Sequence, residues 1–194
     1  MKVLGISGSM RKNGNTAILI QKILDNVKEN GCDEIETEFI SLSGKEIKPC
    51  IGCEKCKESK WCTIISDDWD EIAEKVVECD VLILGSPTYY YDVCGQLKNF
   101  MDRTYSLYHD RKLAGKNAIV VAVCAYRGCD RTLETLEGFV NTHEFCYLGY
   151  VNGRGYHVGD ILNDEIALEM TEKVATKIHK LLSNTLAGRK TKKQ

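Results

Sequence analysis

The sequence predicts an α/β fold in which a five-stranded parallel sheet of order 2-1-3-4-5 is covered by helices on both faces. Three observations carry that expectation. Short apolar runs of β-branched character alternate with amphipathic stretches, the pattern of strands buried on both sides and joined through helices. The length, 194 residues, suits one domain with a core of its own. Polar segments follow the first, third and fourth apolar runs, at the carboxyl edge where doubly wound sheets collect their ligands.

The first strand is the apolar run Lys2 to Ser7, and a helix over Asn15 to Asn30 follows its polar turn. The second strand is Glu36 to Ser41. After Ser66, Asp67 and Asp68 supply the acidic chemistry of a helix N-terminus, and that helix runs to Glu78. The third strand, Val81 to Ser86, opens with unbroken Val-Leu-Ile-Leu, as a central buried strand should. A helix over Cys94 to Tyr108, a strand over Ala118 to Val123, a helix over Arg131 to Thr142 and a strand over Phe145 to Val151 continue the alternation. The last helix, Asp164 to Leu182, carries Ile166, Met170, Val174, Ile178 and Leu181 at three- and four-residue steps, a stripe expected to face the core. Five such units give the flavodoxin-like sheet, one domain over residues 1–183. Arg189, Lys190, Lys192 and Lys193, within the basic tail 184–194, read as a frayed, solvated end.

The connection from Leu42 to Ser66 is far longer than such links usually are. It holds Cys50, Cys53, Cys56 and Cys62 in C-x2-C-x2-C-x5-C spacing. Two-residue gaps bring successive thiolates round one tight loop, and a fourth thiolate can close a tetrahedral set of soft ligands, which suits iron–sulfur clusters and zinc. The consecutive run favours a [4Fe–4S] cluster, whereas all-cysteine zinc sites more often come as two separated C-x2-C pairs. Disulfides between cysteines this close would form small strained loops. Gly52 suits tightly folded backbone beside the sulfurs. The remaining six of the ten cysteines, Cys32, Cys79, Cys94, Cys124, Cys129 and Cys146, are scattered, and most of them read as core packing.

Between the first strand and its helix lies Ser7-Gly-Ser-Met-Arg-Lys-Asn-Gly-Asn-Thr16. Small residues let backbone amides turn inward, the helix N-terminus adds partial positive charge, and Ser9, Asn13, Asn15 and Thr16 can donate to phosphate oxygens while Arg11 adds charge. The same segment would also serve as an ordinary polar turn with Asn15 or Thr16 as cap. It matches neither the G-x-x-x-x-G-K-[ST] loop nor the G-x-G-x-x-G fingerprint, so a monophosphate fits better than a triphosphate or a dinucleotide. The third strand delivers Pro87, Thr88, Tyr89, Tyr90 and Tyr91 to the same edge, where tyrosines could border a flat isoalloxazine ring or pack over the loop. The fourth strand adds Ala125, Tyr126 and Arg127.

On these residues the chain resembles the NAD(P)H-dependent FMN reductase superfamily. The motifs are Gly-Ile-Ser-Gly-Ser-Met-Arg-Lys-Asn-Gly-Asn-Thr, then Gly-Ser-Pro-Thr-Tyr-Tyr, then Gly95-Gln-Leu-Lys-Asn-Phe-Met-Asp-Arg103. The compact four-cysteine run after the second strand resembles its iron–sulfur flavoprotein branch, and the resemblance spans about residues 1–182. It implies FMN held by Ser9, Arg11, Asn13, Asn15 and Thr16 at the phosphate, and by Pro87 to Tyr91 with Ala125 to Arg127 at the ring. It also implies one [4Fe–4S] cluster on Cys50, Cys53, Cys56 and Cys62, and a homodimer or dimer of dimers in which one subunit's cluster approaches a neighbour's flavin. The sequence departs from the pattern at Met10, where many relatives carry Pro, at Tyr91-Asp92, where Gly is common, and in lacking a Gly-Gly pair in the third loop.

A cluster beside a flavin favours single-electron traffic. The expected function is an electron-transfer flavoprotein that takes electrons from a ferredoxin-type donor and reduces a small-molecule acceptor such as a quinone, dioxygen or peroxide. The alternatives are an NAD(P)H-dependent FMN or quinone reductase with structural zinc, and a non-enzymatic flavin redox sensor. His109, His143, His157 and His179 are dispersed and read as structural or surface residues, and no side chain is expected to act as a nucleophile. A net charge of −2 with interspersed signs argues against nucleic acid, and the absence of a leader or a long apolar stretch points to a cytoplasmic protein off the membrane.

Overall fold

The computed structural model describes residues 1–29 and 35–191, with side chains as far as residue 181. Strands β1 (Lys2–Ser7), β2 (Glu36–Ser41), β3 (Val81–Tyr89), β5 (Asn117–Cys124) and β6 (Cys146–Arg154) form a parallel sheet in the order β2-β1-β3-β5-β6, the expected flavodoxin-like order. A two-residue strand β4 (Asp92–Val93) pairs back on β3 as a hairpin. Helices α1 (Asn15–Glu29) and α7 (Glu165–Thr191) cover one face. Helices α3 (Trp69–Glu78), α4 (Gly95–Arg103) and α6 (Cys129–Thr142) cover the other.

The pleat explains both cores. Val3, Val81, Ile83, Ile119 and Val121 point toward α1 and α7, while their chain neighbours Leu4, Leu82, Leu84, Ala118 and Val120 point the other way. Strands buried on both sides need apolar residues at every position, which is what made them legible.

Four differences from the expected elements bear on the site and its packing. First, β3 runs three residues past Ser86, through Pro87 to Tyr89. The Gly85 carbonyl accepts from Gly8 on the β1 side, so Pro87, two residues on, turns its missing N–H toward a strand that has already ended. Second, the expected helix over Cys94 to Tyr108 is two, α4 and α5 (Tyr105–Tyr108). Thr104 divides them, its hydroxyl donating 2.6 Å to the Met101 carbonyl and lying 2.9 Å from His143 Nε2. Third, α7 continues to Thr191, beyond the expected end at Leu182, for no proline interrupts it.

Fourth, Ile166 is 72% exposed instead of facing the core. Each four-residue step overshoots a 3.6-residue turn by roughly 40°, so a stripe of such steps winds off the face. Val174 and Ile178 stay buried, joined by Ala167, Thr171 and Ala175. Among the scattered cysteines, Cys79, Cys94, Cys124 and Cys129 are buried as expected and Cys146 is exposed. Cys32, Asn30, Lys192 and Lys193 lie outside the described residues.

Candidate functional site

The loop after β1 wraps the start of α1, whose first amides have no intrahelical partner. Ser9 and Thr16 are buried beneath it, Arg11 and Asn13 exposed upon it. Ser9 Oγ accepts from the Arg11 amide at 3.2 Å, which turns the loop over the helix end.

The Asn15 side chain is engaged by the loop after β6. Its Nδ2 donates 2.8 Å to the His157 carbonyl and its Oδ1 accepts from the Gly159 amide at 2.9 Å, so the side chain ties the loop after β6 to the helix. Arg11 Nη1 reaches the Tyr156 carbonyl at 3.1 Å. A Cβ on Gly155 would lie 2.4 Å from Asn15 Nδ2, so only glycine permits that approach. This segment, residues 155–159, adds a fourth loop to the three expected from the sequence; Gly155 and Gly159 flanking Tyr-His-Val are its signal there.

At the end of β3, Tyr90 and Tyr91 form the hairpin turn joining β3 and β4, with φ of 50° and 65°. Such a turn favours Asn or Gly, and two bulky residues there store strain of order 1–3 kcal/mol each. Tyr90 is fully exposed, and Tyr89 and Tyr91 are about half exposed. Pro87 and Thr88 are half-buried at the strand end, and Thr88 Oγ1 accepts from Thr132 Oγ1 at 2.8 Å.

The third loop comes against the second. The Arg127 guanidinium lies 6.0 Å from the Tyr91 ring, and Gly128 (φ 94°) leaves space that a Cβ would take from Tyr91. Ala125 and Tyr126 are exposed, with the Tyr126 ring 6.1 Å from that of Tyr156. Burial pushes the Cys129 thiol up to about 12, and neighbouring Cys124 adds to the shift, so Cys129 is inert at neutral pH. Arg127 and Arg154 also face an open cleft of about 920 Å³ with Ile166 on its rim. Two of that cleft's carboxylates are already engaged by backbone amides, Asp160 by Tyr156 and His157 and Asp164 by Arg154 and Ala167.

Cys50, Cys53, Cys56 and Cys62 surround one hollow of about 230 Å³, with Arg103 and Tyr105 also on its wall. A one-turn helix α2 (Cys56–Ser59) and left-handed backbone at Gly52, Glu54 and Lys60 fold the loop around it. Burial raises the Cys56 thiol, and the like-signed sulfurs of Cys50, Cys53 and Cys62 raise it further. Yet among the described residues no three His, Cys, Asp or Glu side chains converge tightly enough to hold a single metal ion. Four soft thiols lining one hollow are a donor set that suits an iron–sulfur cluster or zinc.

Helix α4 holds this loop by its main chain. Gln96 Nε2 donates to the Lys45 carbonyl at 2.6 Å, Asn99 Nδ2 to Ile47 at 3.1 Å, and Arg103 Nη2 to Ile65 at 2.9 Å. Arg103 Nη1 grips both oxygens of Asp67, at 2.5 and 2.7 Å, with both side chains fully buried. Asp67 in turn accepts from the amides of Lys48 and Trp69, one at each end of the loop. Burial opposes both charges. The pairing outweighs it, so Asp67 stays below the ordinary carboxylate range, and Asp67 with Cys62 holds the Arg103 guanidinium above its own. Beneath lie Trp69, Trp61 and Phe100, with Arg103 4.8 Å over the Trp69 ring. The spacing 96, 99, 103 places these three polar residues on one helix face, and that was the unread signal.

Three of the four histidines have separate settings. His143 is buried and held down to about 4 by burial, His157 serves through its backbone, and His109 Nε2 stands 3.7 Å from Cys56 Sγ.

Comparison with known proteins agrees with this geometry. The profile of the NADPH-dependent FMN reductase family matches residues 1–152. An iron-sulfur flavoprotein of Methanocaldococcus jannaschii is 43% identical over 92% of the chain and 95% of its own length. One from Methanosarcina thermophila is 30% identical over 92% and 93%. Among solved structures, the Trp repressor binding protein from Bacillus subtilis superposes with a TM-score of 0.67 at 24% identity, covering 89% of this chain and 96% of that one. An NADH:FMN oxidoreductase superposes at 0.66 and 19%, covering 92% and 88%; likeness at that level is of fold.

Proposed function

This chain belongs to the NADPH-dependent FMN reductase family, and from that premise we propose that it is an electron-transfer flavoprotein containing FMN and a [4Fe–4S] cluster. The observation that carries the reading is that Cys50, Cys53, Cys56 and Cys62 line one hollow beside a sheet of this family's fold. The kinship with iron-sulfur flavoproteins supports it.

The two groups supply complementary chemistry, single-electron transfer at the cluster and one- or two-electron storage at the flavin. Cys50, Cys53, Cys56 and Cys62 would hold the first as thiolates. The loop amides after β1, with Ser9, Arg11, Asn13 and Thr16, would hold the FMN phosphate. Asn15 would act one step back, fixing the residues 155–159 that Arg11 also touches. Tyr89, Tyr90 and Tyr91 would border the ring, and Arg127 would steady Tyr91 from the third loop.

In this reading a ferredoxin-type protein is the donor and a quinone-like molecule, dioxygen or peroxide the acceptor. A second subunit would cover the exposed Ile51, Ile64 and Tyr105 beside the cysteines.

The test is anaerobic stopped-flow reduction of the purified protein, after iron, sulfide and flavin have been assayed. Fast flavin reduction by reduced ferredoxin, slow reduction by NADPH, and loss of the ferredoxin route in Cys56→Ala are expected. Fast reduction by NADPH that survives loss of the cysteine would instead make the chain an ordinary FMN reductase.

A further inference from the structure

Arg103 has one group that its structural duties leave over. Its Nη1 and Nη2 are matched to Asp67 and the Ile65 carbonyl, and its face to the Trp69 ring. Its Nε is the buried side-chain polar atom that, among the described residues, has no hydrogen-bond partner. Leaving such a donor buried and unmatched costs about 1–3 kcal/mol, more when it is charged. The residue is 2% exposed and its side chain fully buried, so bulk water is not the partner. It lines the same hollow as Cys62 and the other three sulfurs.

We propose that Arg103 is a positioning residue of the cluster site, its Nε–H donating to the Cys62 thiolate when that sulfur ligates iron, and its charge favouring the reduced cluster. A thiolate carries lone pairs that accept such a bond, and a charge-assisted bond is about twice as strong as a neutral one. Reduction adds one electron and therefore one negative charge beside a fixed cation, so the cation raises the potential. Asp67 acts with the opposite sign, its carboxylate offsetting part of the Arg103 charge. One buried pair thus closes the loop and biases its electron affinity.

The inference rests on the iron–sulfur reading, and the two fail separately. Iron and sulfide are assayed first, in the intact chain and in Arg103→Gln, Arg103→Lys and Asp67→Asn. Absence of both from the unaltered protein overturns the reading and this inference with it. With iron retained, the midpoint potential of the cluster is measured by redox titration followed by electron paramagnetic resonance. Arg103→Gln should shift the one-electron equilibrium at least tenfold toward the oxidised form, about 59 mV lower, and Asp67→Asn should shift it the other way. Arg103→Lys, which keeps the charge and loses Nε–H, should fall between Arg103→Gln and the unaltered protein, and it decides the matter if Arg103→Gln does not fold. A purely architectural role would lower iron content in all three variants without shifts of opposite sign, and unchanged midpoints in iron-replete variants would overturn the proposal.

Discussion

At the scale of single residues, the four-cysteine spacing is a local signal, and it needed no knowledge of the fold to be read. Cys53→Ala should strip iron and sulfide while FMN stays bound, since the loops proposed to hold the flavin lie on other segments; full iron content in that variant would refute the ligand set. The same substitution at buried Cys79 should leave iron unchanged. Asp67 and Arg103 were illegible for the opposite reason. They are 36 residues apart, and an Asp read as helix-capping chemistry gives no hint that an Arg from another helix will bury itself against it. His143 supplies a prediction about pH. Its folded pKa, about 4, lies below the ordinary 6.5 because burial disfavours the cation. The unfolded chain therefore takes up the proton first. The stability this histidine contributes is complete above pH 6.5 and is lost as pH falls toward 4, up to about 3 kcal/mol. Urea denaturation of the protein and of His143→Phe across that window should show a shallower loss in the variant.

At the scale of elements, strands buried on both faces announced themselves, and boundaries set by hydrogen bonds outside the element did not. Thr104 ends α4 through a side-chain bond to Met101 that no periodicity reveals, and β3 outlasts Ser86 because β4 returns to pair with it. The hairpin yields a prediction with two readouts. Tyr90 is fully exposed, packs little, and holds φ at 50°. Tyr90→Gly should therefore raise folding stability by about 1 kcal/mol, since glycine adopts that conformation freely. The same change should weaken FMN binding if the ring borders the flavin, and thermal melting with flavin titration separates the effects. In the first loop, Arg11→Ala should weaken FMN roughly tenfold or more and riboflavin hardly at all, as expected for one lost charge-assisted contact to phosphate. Equal weakening of both ligands would place the phosphate elsewhere.

At the scale of the whole molecule, sheet order and helix layers followed from the alternation of segments, because handedness and crossover rules leave few topologies open. Which loops meet was less legible. The segment 155–159 joins the first loop through Asn15 and Arg11, a contact between opposite ends of the chain. Helix α4 has the widest reach. Cys94, just before it, bonds Ser86 and Gly8 at the ends of β3 and β1, and Arg103 at its far end faces the four cysteines, about 13 Å along the axis. Apart from the Arg103–Asp67 pair, what α4 hydrogen-bonds in the cysteine loop is carbonyl oxygen, at Lys45, Ile47 and Ile65. The loop behaves, in consequence, as an interchangeable cartridge: its sequence between the cysteines is free to drift, while its socket belongs to the host. Transplanting residues 42–67 alone into a cluster-free relative should yield a floppy insert, and transplanting them with Gln96, Asn99 and Arg103 should carry a working receptacle across.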